Sequence, residues 1–258
     1  MTTGPTKRAK MIAVTGKGGV GKTTIAALII KYLKENTAGP ILALDADPDA
    51  NLATLLGVSV ATTIGDLRED VLRRIRDLPL GMSKDSYIEA GLHEIIVETP
   101  KVDLITMGRG EGPGCYCFIN NVLRKFADDL LPSYEWAVMD NEAGLEHLSR
   151  RTASGIDHLI VVVNESPLST DCAGRIDRLL GDLKRVVGKQ WYLLNAVRED
   201  RAAAVTDKMA GSHLAYLGAV PRDEAIEDLV FRGEPIYSLE NGPAVGIMGQ
   251  IMEKIGAG

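Results

Sequence analysis

The segment Gly16-Lys17-Gly18-Gly19-Val20-Gly21-Lys22-Thr23-Thr24 fits the pattern G-x-x-x-x-G-K-S/T, a spacing whose chemistry is anion capture. Glycines without a Cβ let backbone N–H groups converge on phosphate oxygens, and the positive end of a following helix favours the same charge. Lys22 is then placed to reach β- and γ-phosphates and the Thr23 hydroxyl to sit on Mg2+, with Gly16, Gly18, Gly19, Val20, Gly21 and Thr24 completing the loop. Lys17 is not needed for a single phosphate cradle that already holds the Lys22 ammonium. A second lysine implies a second task.

Carboxylates follow in two places. In Asp45-Ala46-Asp47-Pro48-Asp49-Ala50-Asn51, strand alternation directs Asp45 and Asp47 to one side. That geometry suits magnesium hydration water for Asp45 and an attacking water for Asp47. Asp49 or Asn51 is equally placed to cap a following helix. Asp140 closes another apolar run, where a second magnesium-side carboxylate belongs, and Gly144 supplies a backbone position able to swing toward a γ-phosphate.

Cys115 and Cys117 lie on alternate residues of Gly112-Pro113-Gly114-Cys115-Tyr116-Cys117, so both sulfurs can face one soft or borderline ion. Two thiolates do not complete a tetrahedral site, but two copies of such a loop meeting at a two-fold axis supply four. Taken alone, the pair fits a reduced thiol or redox couple as well. Cys172 reads as a small buried hydrophobe, and of the four scattered histidines only His147 lies near a motif.

These residues need a frame that brings distant loops to one edge. Short β-branched runs alternate with longer amphipathic stretches, the pattern of an α/β fold with a mainly parallel sheet and helices on both faces. Strands are expected at Met11–Thr15, Pro40–Leu44, Val102–Met107, Trp136–Met139, His158–Val163, Gln190–Leu194 and Leu214–Val220. Helices are expected at Lys22–Lys34, Asn51–Leu56, Ile119–Leu131, Leu168–Val187, Arg201–Met209 and Gly246–Ile255. Residues 62–100 are the least regular, with the charged Arg68–Asp77 stretch reading as a solvated helix. No linker divides the 258 residues, so one domain spanning 1–258 is expected, with 1–10 as a flexible extension.

Lys+Arg 29 against Asp+Glu 35 gives a net charge of −6, which offers no general attraction for nucleic acid or anionic membrane. No apolar run approaches the ~20 residues that cross a bilayer, and the first residues lack the apolar stretch of a signal peptide, so a cytoplasmic protein is expected.

The loop with its additional Lys17 resembles that of the deviant P-loop ATPases, the family of nitrogenase iron protein, division-site and plasmid-partition ATPases and metallocentre maturation factors. The resemblance implies the P-loop fold, ATP/ADP with Mg2+, and a homodimer in which Lys17 reaches the partner's nucleotide; Lys17, Lys22 and Asp47 are then catalytic. It also assigns Asp47 to the switch that orients the attacking water, Asp45 and Asp140 to magnesium, and Asn195, Pro221 and Arg222 to adenine. The guanine reader Asn-Lys-x-Asp is absent, since Ala196, Val197 and Arg198 follow Asn195, so ATP is favoured over GTP; a turn-forming asparagine is the alternative for that residue.

Within the family, Cys-x-Cys together with D-x-x-A-G-x-E-H-L resembles the carbon monoxide dehydrogenase nickel-insertion accessory ATPases; the latter motif runs here from Asp140 to Leu148. This implies Ni2+ at Cys115 and Cys117, with Zn2+ in purified material, and a nickel enzyme as client. A maturation factor for the nickel site of acetyl-CoA synthase shares these motifs. A positioning ATPase fits less well, because Gly246–Gly258 carries a single lysine, Lys254, opposed by Glu253. An iron–sulfur carrier of the nitrogenase type needs a cysteine just after the second switch, and 140–171 contains none.

Overall fold

The computed structural model describes residues 8–74, 84–109, 130–142, 155–181 and 187–257. In chain order the elements are β1 (Lys10–Gly16), α1 (Lys22–Asn36), β2 (Ile41–Ala46), α2 (Leu52–Leu56), α3 (Ile64–Arg74), α4 (Lys84–Glu94), β3 (Ile96–Val97), β4 (Val102–Thr106) and β5 (Trp136–Asn141). They continue with β6 (Ile156–Val163), α5 (Pro167–Leu180), β7 (Val187–Asn195), α6 (Glu199–Lys208), β8 (Ala215–Val220), α7 (Glu224–Arg232) and α8 (Pro243–Ile255).

The strands form an eight-stranded sheet in the order β3-β4-β2-β5-β1-β6-β7-β8. Every pairing is parallel except β3 on β4, a two-residue antiparallel edge. Central strands buried on both faces explain why β1, β2 and β5 read as nearly continuous apolar runs. Strand alternation sends Met11 and Ala13 to one face with α3, α5 and α6, and Ile12 and Val14 to the other with α1, α2, α7 and α8.

Helix α1 is buried along most of its length, between the sheet and its neighbours α2 and α8. Its fully buried Ile25, Ile29, Ile30 and Leu33 each contribute roughly 1.5–3 kcal/mol by leaving water. This packing holds the N-terminus of α1, and with it the glycine loop, at the C-terminal edge of the sheet. Truncating Ile29 to alanine is expected to cost about 2–5 kcal/mol.

Several expectations need correction. β2 and β5 run two residues further than read, carrying Asp45 and Asp140 inside the strands. The helix expected over Leu168–Val187 stops at Leu180, and Val187 begins β7 instead. Residues 62–100 hold α3, α4 and β3, and α3 is amphipathic rather than solvated: Ile64, Leu67 and Val71 enter the core, and Arg68 is buried beside Glu69 at 2.6 Å. At the N-terminus, Lys10 opens β1, Ala9 is buried and Arg8 pairs with Asp157 at 2.9 Å, so the expected extension does not include these residues. The helix expected at Ile119–Leu131 lies outside the described residues except for Leu130 and Leu131, and Leu131 starts a short 3-10 turn.

Candidate nucleotide site

Strand β1 ends in Gly16, and the loop to α1 turns at Val20, whose N–H donates to the Lys17 carbonyl at 3.4 Å. Gly21 stands at the head of α1 with φ 88° and no side-chain cap, so the first N–H groups of the helix stay open to an anion. Gly18 and Gly19 face open space, where a phosphate group would rest. A Cβ on Gly16 would meet the Val162 carbonyl oxygen at 2.6 Å, so β6 presses against the start of the loop.

Lys22 is buried at 6% exposure, and Gly18, Gly19, Gly21, Lys22, Thr23 and Thr24 line a cavity of about 430 Å3. Asp47, Asp49, Asn51, Thr54 and Leu55 close it from the β2 side, and Val230, Gly233 and Glu234 from the end of α7. Gly16 and Val20 are buried beneath the loop. Lys17 is half-buried and lines neither this cavity nor the one described next.

The two strand-end acids do different work. Asp45 and Asp140 are register partners on β2 and β5, both buried. The Asp45 carboxylate is a clasp: it accepts from Asp47 N–H at 3.2 Å and from Leu52 N–H at 2.9 Å, tying the following loop and the start of α2 to the strand. Burial pushes its pKa up to about 6 against these hydrogen bonds. Asp45 therefore performs the helix-capping job expected of Asp49 or Asn51. Asn51 makes no side-chain cap bond, and Asp49 instead pairs with Arg109 at 3.1 Å.

Asp140 has no such support, and both its oxygens are buried without a hydrogen-bond partner. Burial pushes its pKa up to about 7, with Asp45 and Asp47 adding repulsion. The Thr23 hydroxyl and the Lys22 ammonium pull in the opposite direction, the hydroxyl standing nearby but outside strict hydrogen-bond geometry. An orphaned buried carboxylate beside a second acid and a threonine hydroxyl fits a hydrated magnesium ion. Among the described residues no group of three or more His, Cys, Asp or Glu is arranged to hold a metal, so water and phosphate must complete its shell. Thr23, Asp45 and Asp140 are the residues that would hold it.

Next to the phosphate cavity is a larger, more apolar one of about 560 Å3, lined by Thr24, Leu28, Asn195, Pro221, Arg222 and Phe231 among others. The structure thus brings Asn195 from the end of β7, Pro221 and Arg222 from just after β8, and Thr24 from the first turn of α1 around one cavity. Asn195 does more than line it. Its Nδ2 donates to the Val20 carbonyl at 2.8 Å, and a Cβ on Gly21 would strike that nitrogen at 2.3 Å. Arg222 spends its fork on Glu227, at 2.7 and 2.8 Å. Asp223 caps α7 through Ala225 N–H at 3.0 Å and reaches Ala244 N–H at the start of α8 at 3.2 Å.

Sequence reasoning missed α7 altogether, although Val230 borders both cavities and Gly233 and Glu234 border the phosphate one. The signal was present: Asp223 as N-cap, Ile226, Leu229 and Val230 at helical spacing, and Gly233 as a left-handed terminator with φ 66°. Cys172 is buried on α5 as expected. Cys115, Cys117, Gly144 and His147 lie outside the described residues.

A parallel sheet that delivers a glycine loop and buried acids to its C-terminal edge defines a P-loop nucleoside triphosphatase. Comparison with known proteins makes the class specific. A model of the CobQ/CobB/MinD/ParA nucleotide-binding domain matches residues 11–236, and the chain belongs to that family. It is an ATPase of the MinD/ParA type.

An uncharacterized ATP-binding protein of Methanocaldococcus jannaschii is 40% identical over 248 residues, covering 95% of this chain and 98% of that protein. The carbon monoxide dehydrogenase accessory protein CooC of Rhodospirillum rubrum is 28% identical over 260 residues, covering 95% and 97%. In structure the chain resembles the septum site-determining protein MinD of Pyrococcus horikoshii, solved with Mg-ADP, at a TM-score of 0.65 and 20% identity over 96% of each chain. MinD of Aquifex aeolicus, solved in complex with MinC, matches at a TM-score of 0.69 and 23% identity over 96% of each chain. No described helix is long and apolar enough to cross a membrane.

Proposed function

We propose that this ATPase works as a homodimer that uses its nucleotide cycle to load nickel during maturation of a nickel enzyme, with carbon monoxide dehydrogenase as the client. The carrying observation is the pair Cys115 and Cys117 in a chain whose relative of near-equal length is a carbon monoxide dehydrogenase accessory protein. Paired across a two-fold axis, these cysteines present four thiolates to one ion, a complete tetrahedral set. Nickel is cargo here, and zinc competes for the same sulfurs.

Lys17, which lines neither cavity of its own chain, supports a role at a partner's nucleotide. Each chain's residues then divide the work. The open N–H groups of α1 and the Lys22 ammonium hold the phosphates, Asp47 orients the attacking water, and Asn195 and Pro221 seat adenine beside the Arg222–Glu227 pair. Magnesium, when bound, neutralises developing charge on the phosphates. Closure of the dimer on ATP adds the Lys17 contact and changes the metal affinity of the shared Cys115 and Cys117 set. A decisive shift of that equilibrium requires about 5 kcal/mol of differential binding.

Metal analysis combined with native mass measurement tests the reading, using the parent and a Cys115→Ser/Cys117→Ser variant, each with and without ATP. The parent is expected to carry one ion per two chains and the variant none. A metal-free parent that turns over ATP as a monomer overturns it.

A further inference from the structure

Three in-register side chains cross the site edge of the sheet. Thr106 on β4 pairs with Asp45 on β2, and Asp45 pairs with Asp140 on β5. Register partners in a parallel ladder project from the same face. Leu104, Ala43 and Val138, each two residues back on its strand, lie in the core on the α1 side, so Thr106, Asp45 and Asp140 all face α1 and α2.

Thr106 is 1% exposed, and its Oγ1 has no hydrogen-bond partner. A buried hydroxyl left unpaired is a net cost to the fold, and an isosteric valine would fill the same space without it. The use of the hydroxyl therefore belongs to another state of the site. Its neighbour Asp45 can accept it: each carboxylate oxygen receives one backbone N–H and retains a second lone pair. Adjacent strands are about 4.8 Å apart, so the hydroxyl and the carboxylate are neighbours across the ladder. On the other side of Asp45 stands Asp140, with two unpartnered oxygens.

We propose that Thr106 is a positioning residue of the magnesium site: its hydroxyl donates to a free lone pair of the Asp45 carboxylate from the β4 side and fixes the rotation of that group beside Asp140. Asp45 is otherwise held only by the N–H groups of Asp47 and Leu52. The proposal depends on the ATPase class alone and is independent of nickel and of the client enzyme.

The test uses the full chain with two substitutions, Thr106→Val, which removes the hydroxyl at constant shape, and Thr106→Ser, which keeps it. Retention of ADP is measured by calorimetry across a Mg2+ titration, and melting temperature is measured in EDTA. Thr106→Val is expected to need about tenfold more Mg2+ for half-maximal retention, the size of effect seen when groups behind metal ligands are removed. Its ADP affinity in EDTA should equal that of the parent, and its metal-free melting temperature should be equal or higher. Thr106→Ser should follow the parental Mg2+ curve. A valine variant with the parental Mg2+ midpoint overturns the proposal, as does a serine variant shifted as far as valine. Loss of folding by Thr106→Val in EDTA also overturns it, because the hydroxyl would then have a partner in the metal-free fold.

Discussion

The two ends of the nucleotide cleft are built on different principles. The phosphate end is made of backbone N–H groups, a buried lysine and two buried acids, all held by strands and by the packed start of α1. The base end is made of side chains from the ends of β7 and β8 and from α7, several of them exposed: Phe231 is 90% open and the Arg222–Glu227 pair stands in solvent. Groups buried in low dielectric are worth more per contact, and their loss leaves partners stranded. The phosphate end should therefore carry most of the chemistry, and the base end should tune affinity and selectivity. Asn195 joins the two, since the same amide that lines the base cavity is bonded to the loop carbonyl of Val20.

The largest effect is expected from Lys22→Ala, with turnover, measured as phosphate release, falling about 100-fold or more, in line with removal of one preorganised charge donor. A parental rate would show that the buried lysine is structural.

Next comes the acid pair. Asp45 and Asp140 have folded pKa values of about 6 and about 7 against an ordinary value of 3.8. Both are raised, so their contribution to stability is complete below about pH 4 and is lost as pH rises through 6 and 7. In EDTA the melting temperature should therefore fall between about pH 4 and pH 7 and level off above that, and Asp140→Asn should flatten that slope while reducing turnover. An unchanged slope in the variant would place the pH dependence elsewhere.

Gly21→Ala joins the two ends, since its Cβ would collide with Asn195 and its φ of 88° disfavours any side chain. About tenfold weaker ATP binding is expected, and adding Asn195→Ala should recover part of the loss, because the clash is removed. Strict additivity of the two substitutions would sever the link between the ends. Asn195→Ala alone should weaken ATP by about five- to tenfold and narrow the preference over GTP, the scale of one hydrogen bond. Smallest is Arg222→Ala, which breaks an exposed ion pair: ATP affinity should change less than about threefold with no measurable change in melting temperature. A larger loss would mean that the arginine leaves Glu227 to hold the nucleotide.

The phosphate loop was legible because its residues are contiguous: Gly16 to Thr24 carry their geometry in one short stretch, and α1 follows at once. The strand pattern was legible for the same reason, since a strand buried on both faces is apolar along its own length. Helix α7 was legible in principle, through Asp223, the apolar spacing and Gly233. The boundary between α5 and β7 was harder, as the apolar residues near 180–187 suit either element.

What the chain alone determined is therefore the class of chemistry: a phosphate cradle, two acids at strand ends and an alternating α/β order that must carry them to a common edge. Only the tertiary structure decided how those acids differ, because Asp45 finds its N–H partners across the turn into α2 while Asp140 finds none. It also decided that Gly21 is required by Asn195, 174 positions away, as much as by phosphate. The row Thr106–Asp45–Asp140 belongs to the same category, since it exists only through strand register. Local spacing encodes what a segment can bind through its own backbone. Which side chains are left unpaired depends on neighbours that chain order does not predict, and those unpaired groups are where this site is ready for its ligand.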